Sequence, residues 1–397
     1  HTPGDALPDA LAVLDPKRSD CAYPFKELCG CGVGFKLMQG LLQQQGKEVN
    51  EIIAYLDFVA VAIAADIVPM IGENRAFAFL GLQQLNTHPR PGLKALMRDK
   101  PTGQIISDVV FGMAPRINAA GRMKHGLDAV ELLLSASDEE AKKIAQEVEM
   151  YNTSRREVEQ EITKEALAQI TGNQEENNAA NVVYAPHWHK GVIGIVASRL
   201  IESYYRPTLV FTKSNEGILT ASARSVRGFD VYKAIDACRR HIIQFGGHKY
   251  AAGVTIKEEN YQAFKVAFET QVAQTLTGTQ KAQTLDVDVA LPFSAITPKL
   301  LRILKQMEPF GPENSNPIFY TDGILDSGYA KLVGQDKSHI KARFVQGDSS
   351  PIDAIGFGLG NKMGLLKKGT PLRIAYVLEE NEWQGNVSVQ LRLKDIE

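Results

Sequence analysis

The sequence predicts an α/β protein with four parts: the remainder of a parallel-sheet domain, a long connecting helix, a second α/β domain and a C-terminal β-barrel of the OB type. Three observations carry this. Strand-like and helix-like patterns alternate from Val182 to Leu276. A long charged helical stretch, Ser137 to Ile170, precedes them. After Pro317, short runs of alternating polarity are separated by glycine-rich turns. Alternating strands and helices imply packed layers, and several short alternating strands imply a small closed sheet.

Residues 1–135 read as the first part. Ala12-Val13-Leu14 before Asp15-Pro16 is expected to be a short strand. Gly30 to Gln45 is expected to be a helix. Phe58 to Ala65 is a nearly unbroken apolar run, the pattern of a parallel strand buried on both faces. Asp66 would then sit at the carboxyl edge of that strand, where open α/β sheets bind ligands. A carboxylate there could equally cap the following turn. Residues 136–172 form the connecting helix, opened by a serine cap with acids in its first turn and closed near Gly172.

Residues 173–280 form the second α/β domain. Val182–Ala185, Pro207–Thr212, Gly217–Ser225 and Val254–Ile256 are its strands. Gly191–Tyr204, most of Phe229–Phe245, and Tyr261–Leu276 are its helices. His187 and His189 flank Trp188 without an acidic neighbour in the sequence, so they are expected in substrate contact or loop structure. Lys190 and the N–H groups from Gly191 onward would sit at a helix N-terminus, which attracts anions. Residues 281–316 hold an exposed strand (Leu285–Leu291) and a helix (Thr297–Met307). Residues 317–397 form the barrel, with Ile340–Val345, Leu372–Leu378 and Val387–Leu393 among its strands.

Composition narrows the functional classes. A net charge of −2 excludes a globally basic nucleic-acid binder but allows a local basic groove. No apolar run is long enough to span a bilayer. Four cysteines are present; Cys29-Gly-Cys31 lacks the two-residue spacing of zinc pairs, so reduced structural thiols are expected.

The stretch Thr220–Gly253 carries the most chemistry. It holds two phosphate-seeking devices, Ser222-Ala223-Arg224-Ser225 and the Gly246-Gly247-His248 turn followed by Ala251-Ala252-Gly253. Paired glycines let backbone N–H groups approach an anion, and arginine grips a phosphate with two charge-assisted bonds. Earlier in the chain, Pro115 to Arg122 reads PRINAAGR. Arg116, Asn118 and Arg122 could line a phosphate channel, or the segment could be a helix-end loop that caps carbonyls. On the barrel, Tyr329, Lys331, Lys341, Arg343 and Phe344 could stack bases and guide phosphates, or serve as core aromatics and solvated cations.

GGHKYAAG with SARSVRGFD upstream resembles the DHH-associated domain of the RecJ family of single-strand-specific exonucleases. FGMAPRINAAGRM (111–123), HKGVIGIVASRL (189–200) and EPFGPENSNPIF (308–319) extend the resemblance, in order, along essentially the whole chain. It implies a DHH-type domain for the first part and a DHH-associated domain for 173–280. The implied activity is metal-dependent 5′-to-3′ degradation of single-stranded DNA to mononucleotides, in repair and recombination, with Mn²⁺ or Mg²⁺ as cofactor. Asp66, before Ile67-Val68-Pro69, is implied as a catalytic metal ligand. His1, before Thr-Pro-Gly, is either a tag remnant or the last His of the Asp-His-His motif, and by the second reading a catalytic metal ligand too. With the family's upstream aspartates outside this chain, the chain alone is expected to be inactive. His248 is implied as catalytic and substrate-binding. Ser222, Arg224, Ser225, Gly246, Gly247, Arg116, Asn118, Arg122, His189 and Lys190 are implied as substrate-binding. The implied partners are a single strand with a 5′-phosphate, a single-strand-binding protein and a helicase, in the cytoplasm and away from membranes. Two other functions stay open: a related phosphodiesterase acting on oligonucleotides or cyclic dinucleotides, and a non-catalytic single-strand-binding factor.

Overall fold

The structure is a computed structural model and describes residues 6–100, 103–366, 369–383 and 386–397. His1 lies outside the described residues. The chain divides into two compact units. The first comprises the chain up to His88, the short stretch ending at Val109, and Leu285–Glu397; the second comprises Pro89–Lys100 and Val110–Thr284. Elements are numbered along the chain.

The first unit begins with helices α1 (Gly30–Gln44), α2 (Leu56–Asp66) and α3 (Gly72–Thr87), with a short turn of helix α5 at Ile106–Asp108. Cys29 caps α1, its sulfur accepting the Gly32 N–H at 3.4 Å. Helix α2 corrects the expected strand at Phe58–Ala65. A helix buried all round reads in sequence like a strand buried on both faces, because neither shows a polar face. Leu56, Val59, Ala60, Ile63 and Ala64 are all nearly inaccessible, at the spacing of a helix rather than a strand. The contact with α3 is close: a Cβ on Gly81 would stand 2.1 Å from the Leu56 carbonyl oxygen. The strand expected at Ala12–Leu14 is also absent, and among the described residues no strand precedes Asn181.

The same unit contains the barrel. After β6 (Val289–Ala290) and α13 (Pro298–Met307) come β7 (Phe319–Asp326), β8 (Lys331–Val333), β9 (His339–Val345), β10 (Ile352–Gly356), β11 (Leu372–Trp383) and β12 (Asn386–Ile396). The order β7-β11-β12-β10-β9 closes on itself through a β7–β9 pairing, with β10 and β12 parallel. Only two residues of the expected strand Leu285–Leu291 are strand. Ile340, Ile374, Tyr376, Leu391 and Phe344 fill the interior. Phe344 is fully buried, which removes it from the expected strand-binding face. Tyr329 remains half exposed, with Lys331 and Arg343 each about as near its ring as a cation–π contact requires, at 5.0 and 5.1 Å.

The second unit packs α4 (Pro91–Leu96), α6 (Ala114–Met123), α7 (Leu127–Leu134) and α8 (Asp138–Gly172) together with a five-stranded mixed sheet. Helix α8 starts as expected, with Ser137 Oγ accepting the Glu140 N–H. The sheet runs β1-β2-β3-β5-β4: β1 (Asn181–Tyr184), β2 (Thr208–Asn215), β3 (Ile218–Arg224), β4 (Gln244–His248) and β5 (Ala251–Lys257). Strands β1 and β2 are parallel and the other pairings antiparallel. Alternation along the strands separates two cores. Val182, Leu209, Phe211, Leu219 and Val254 pack on one face with α10 (Val231–Asp236) and α11 (Tyr261–Thr275). Val183 and Val210 pack on the other with α8 and α9 (Ile193–Ser203). A short helix, α12 (Gly278–Lys281), follows. The helix expected over most of Phe229–Phe245 is only α10 and a 3₁₀ turn, because the chain must reach β4 by Gln244.

Candidate functional site

Strand parity builds the site. In β3, Leu219, Ala221 and Ala223 belong to one core, so Thr220, Ser222 and Arg224 project from the opposite face. Ser222 pairs with Gly253, which pairs with Gly246. Arg224 pairs with Ala251, which pairs with His248. Two rows therefore cross three strands on one face, and between Ser222–Arg224 and His248 there is no side chain larger than a methyl group. The result is a trough about 10 Å across, two strand spacings. Its floor is open, since a Cβ on Gly246 or Gly253 would meet nothing within 4 Å. The expected glycine loop is thus a correction: Gly246–His248 lie in β4, and the turn falls at Lys249–Tyr250. Gly247 serves the fold. Its φ is +146°, and a Cβ there would stand 2.3 Å from the Ala251 carbonyl oxygen. His248 is exposed, and its Nδ1 accepts the Tyr250 N–H at 3.3 Å, which leaves Nε2 toward solvent.

Helix α9 walls the other side. A Cβ on Gly194 would stand 2.9 Å from both Arg224 Nη2 and Ser222 Oγ, so glycine alone lets the helix approach so closely. The Ile195 and Val196 N–H groups donate to the Val192 carbonyl, at 2.8 and 3.0 Å, and the N–H groups of Ile193 and Gly194 before them lie at the positive end of the helix dipole. Arg224 Nη1 donates to Ser222 Oγ at 3.1 Å and to the Ala223 carbonyl at 2.8 Å. Among the described residues no carboxylate pairs with it. Burial, together with the nearby Arg122 charge, works against the charged form of Arg224. A guanidinium remains charged regardless, so this half-buried group is electrostatically unsatisfied and receptive to an anion.

PRINAAGR lies inside α6, which corrects the loop alternative. Helical geometry splits its polar residues. Asn118 and Arg122 share a face at i,i+4, while Arg116 points elsewhere. Arg116 pairs with Glu149 and donates to the Leu96 and Gly112 carbonyls, so it is committed to packing rather than substrate. Arg122 donates to the Gly191 carbonyl at 3.0 Å and is otherwise exposed; Asn118 is exposed as well. Ser225 gives its hydroxyl proton to the Phe229 carbonyl at 2.9 Å and belongs to the turn. His189 is exposed and its Nδ1 accepts the Gly191 N–H, while Lys190 is exposed without a partner among the described residues.

Three contributors were not legible in advance. Gly194 sits in a recognised motif but carries no side chain to draw notice. Glu165 of α8 supplies the acidic partner thought missing near His187, accepting from Trp188 Nε1 at 2.8 Å and contacting His187 Nε2 at 2.9 Å. These bonds, that of Trp188 first, hold the Glu165 carboxyl below its ordinary range. Glu159 of α8 is buried, and its two oxygens take Arg155 and Arg199.

Asp66 belongs to the first unit. It is the exposed last residue of α2, and Ile67 ends the helix in the left-handed region at φ 54°. One exposed carboxylate suits a hard cation as one ligand among several. No cluster of three His, Cys, Asp or Glu side chains able to enclose a cation occurs among the described residues, so these residues alone do not fit a metal site. Cys29 and Cys31 do not form one either. Burial raises both thiols, Cys31 to about 11. Among the described residues no helix is long and apolar enough to cross a membrane.

Residues 176–274 match the DHHA1 domain and residues 287–395 the RecJ OB domain. The single-stranded-DNA-specific exonuclease RecJ of Bacillus subtilis is 35% identical over 400 residues, which cover all of this chain and 50% of that protein. The same-named protein of Dickeya dadantii is 32% identical, covering all of this chain and 72% of its own. The crystal structure of RecJ in complex with Mn²⁺ from Thermus thermophilus superposes with a TM-score of 0.83 at 28% identity, over 100% of this chain and 57% of that one. The chain thus spans half to about three quarters of the length of these relatives.

Proposed function

The chain belongs to the RecJ family, and from that premise we propose that it serves a metal-dependent exonuclease that degrades single-stranded DNA from a 5′-phosphorylated end and releases mononucleotides. The observation that carries the proposal is the unpaired, half-buried Arg224 beside Ser222, at the edge of a trough floored by glycine. Arg224 and Ser222 hold the terminal phosphate, with Arg122 and the N-terminus of α9 adding positive potential. The floor over Gly253 and Gly246 takes one sugar–phosphate chain, and His248 meets it from the far strand. Holding the 5′ end in a fixed place sets where the next phosphodiester lies. The barrel face around Tyr329, Lys331 and Arg343 binds single-stranded DNA by stacking and phosphate contact.

Mn²⁺ or Mg²⁺ is the proposed cofactor, as the family's solved structures contain these ions, and it would supply Lewis-acid activation of water. Asp66 is this chain's proposed contribution to its ligands. A single-strand-binding protein, a helicase and a cytoplasmic location belong to the same proposal. The test is nucleotide release by the full-length protein from 5′-phosphorylated single strands and matched duplexes with and without Mn²⁺. The expected outcome is metal-dependent release from the single strand alone. Equal release from the duplex, or release without metal, overturns the reading.

A further inference from the structure

The segment Glu308–Phe319 plays no part in the phosphate trough, yet it forms a tightly bonded turn in the first unit. Gly311 and Asn314 exchange backbone bonds of 2.9 and 3.1 Å. Asn314 Nδ2 also donates to the Met307 and Pro309 carbonyls at 2.9 and 3.0 Å.

This turn lies on the loop that follows Asp66. The Pro312 carbonyl accepts the Met70 N–H at 2.7 Å. A Cβ on Gly311 would stand 2.9 Å from Met70 Cβ, so a side chain there would lift the turn off the loop. Arg75, in the first turn of α3, fastens the two together. Its Nη2 donates to the Gln306 and Glu308 carbonyls at 2.8 and 3.0 Å, and its Nε to the Met307 carbonyl at 3.3 Å. A helix leaves its last carbonyls without partners, and a cation there also meets the negative end of the dipole. Arg75 thereby caps α13 from a position nine residues beyond Asp66.

Two more ties hold the loop. Asn74 Nδ2 donates to the Pro69 carbonyl at 3.0 Å and to the Glu27 carbonyl at 2.7 Å. Gly72 takes φ +50° with the Phe25 ring where a Cβ would be. The Asp66 carboxylate itself makes no hydrogen bond or ion pair among the described residues. Its placement is therefore set by the backbone that follows it, and that backbone is pinned at Pro69, Met70 and Gly72.

We propose that the Gly311–Asn314 turn is a clamp that positions the Asp66 loop, with Arg75 as its positioning residue. The clamp rests on the reading of Asp66 as a functional carboxylate. The experiment pairs two measurements on the full-length protein and on its Arg75→Ala, Arg75→Lys, Gly311→Ala and Asp66→Ala variants: exchange of the Met70 amide, and turnover of a 5′-phosphorylated single strand with Mn²⁺. In Arg75→Ala, Met70 exchange should quicken about tenfold and kcat should fall about tenfold, with KM changed by less than about twofold. Gly311→Ala should do the same by displacing the turn, and Arg75→Lys should recover part of both losses. Unchanged Met70 exchange in Arg75→Ala overturns the clamp. Faster exchange with unchanged kcat overturns its positioning role. Asp66→Ala should abolish turnover while leaving Met70 exchange as it was. Retained turnover in that variant overturns the reading of Asp66, and is told apart from failure of the clamp because the exchange data stand independently.

Discussion

The Arg224 guanidinium donates to Ser222 Oγ across 3.1 Å, and neither group meets a carboxylate among the described residues. A half-buried cation oriented by a hydroxyl, with no counter-charge among the described residues, is held ready for a ligand that brings one. Arg224→Ala should therefore cost roughly ten- to a hundredfold in kcat/KM on 5′-phosphorylated strands, about the 1.5–3 kcal/mol of one charge-assisted bond. Strands with a 5′-hydroxyl should lose much less. Ser222→Ala should show the same selectivity at smaller size. Equal losses on both substrates would place Arg224 at an internal phosphate or in the fold.

Glu159 decides which arginines are free. Arg155 and Arg199 occupy its two oxygens at 2.6 and 2.9 Å, so neither competes with Arg122 and Arg224 for an incoming anion. Glu159→Gln leaves the largely buried Arg155 without a charge partner, and removing one member of a buried pair costs up to about 3–5 kcal/mol. Arg199 retains Glu202, which favours the lower end of that range. The measurement is the urea midpoint at unchanged m-value. A loss below about 0.5 kcal/mol would mean the pair is no more than a surface contact.

Cys31 and Cys238 should be inert at neutral pH. Burial raises the Cys31 and Cys238 thiols, each to about 11, above their unfolded values. A raised thiol favours the folded state below its unfolded pKa, and that contribution is lost as pH rises through the folded pKa. Alkylation of Cys31 and Cys238 should thus be slow at pH 8 and accelerate toward pH 11. Rapid labelling of Cys31 at pH 8 would restore Cys29-Gly-Cys31 as a reactive pair.

Strands β1, β2, β3 and β5 were legible because each is punctuated and its alternation survives in the sequence. Ser222 and Arg224 could be paired from their spacing alone, since period two puts both on one face. Phe58–Ala65 was not legible as a helix, because complete burial erases the polar face that separates the two periods. Gly246-Gly247-His248 read as a loop because glycine disfavours strands, yet a trough floor requires strands without side chains. Arg116 and Arg122 looked equivalent until α6 turned them to different faces. Glu159 meets Arg199 across 40 residues of chain and Glu165 meets Trp188 across 23, contacts that only the fold defines.

The glycines of the organising stretch should separate into two kinds. A Cβ on Gly253 meets open space, and its residue lies between Ser222 and Gly246 in the row that floors the trough. Gly253→Val should keep or slightly raise stability, because valine suits a strand better than glycine by up to about 1 kcal/mol. The same side chain stands where the sugar–phosphate chain would lie, so binding of a 5′-phosphorylated strand should fall by about tenfold or more, the cost of about 1.4 kcal/mol of lost contact. Gly247 behaves oppositely. Its Cβ would stand 2.3 Å from the Ala251 carbonyl oxygen and its φ is +146°, so Gly247→Ala must move backbone and should cost stability first. The pair is read by thermal melting and by fluorescence-anisotropy titration of the same samples. If Gly253→Val melts early, the row is core rather than floor. If it binds like the parent, the strand does not run through the trough, and the phosphate held by Arg224 must approach from the side of α9.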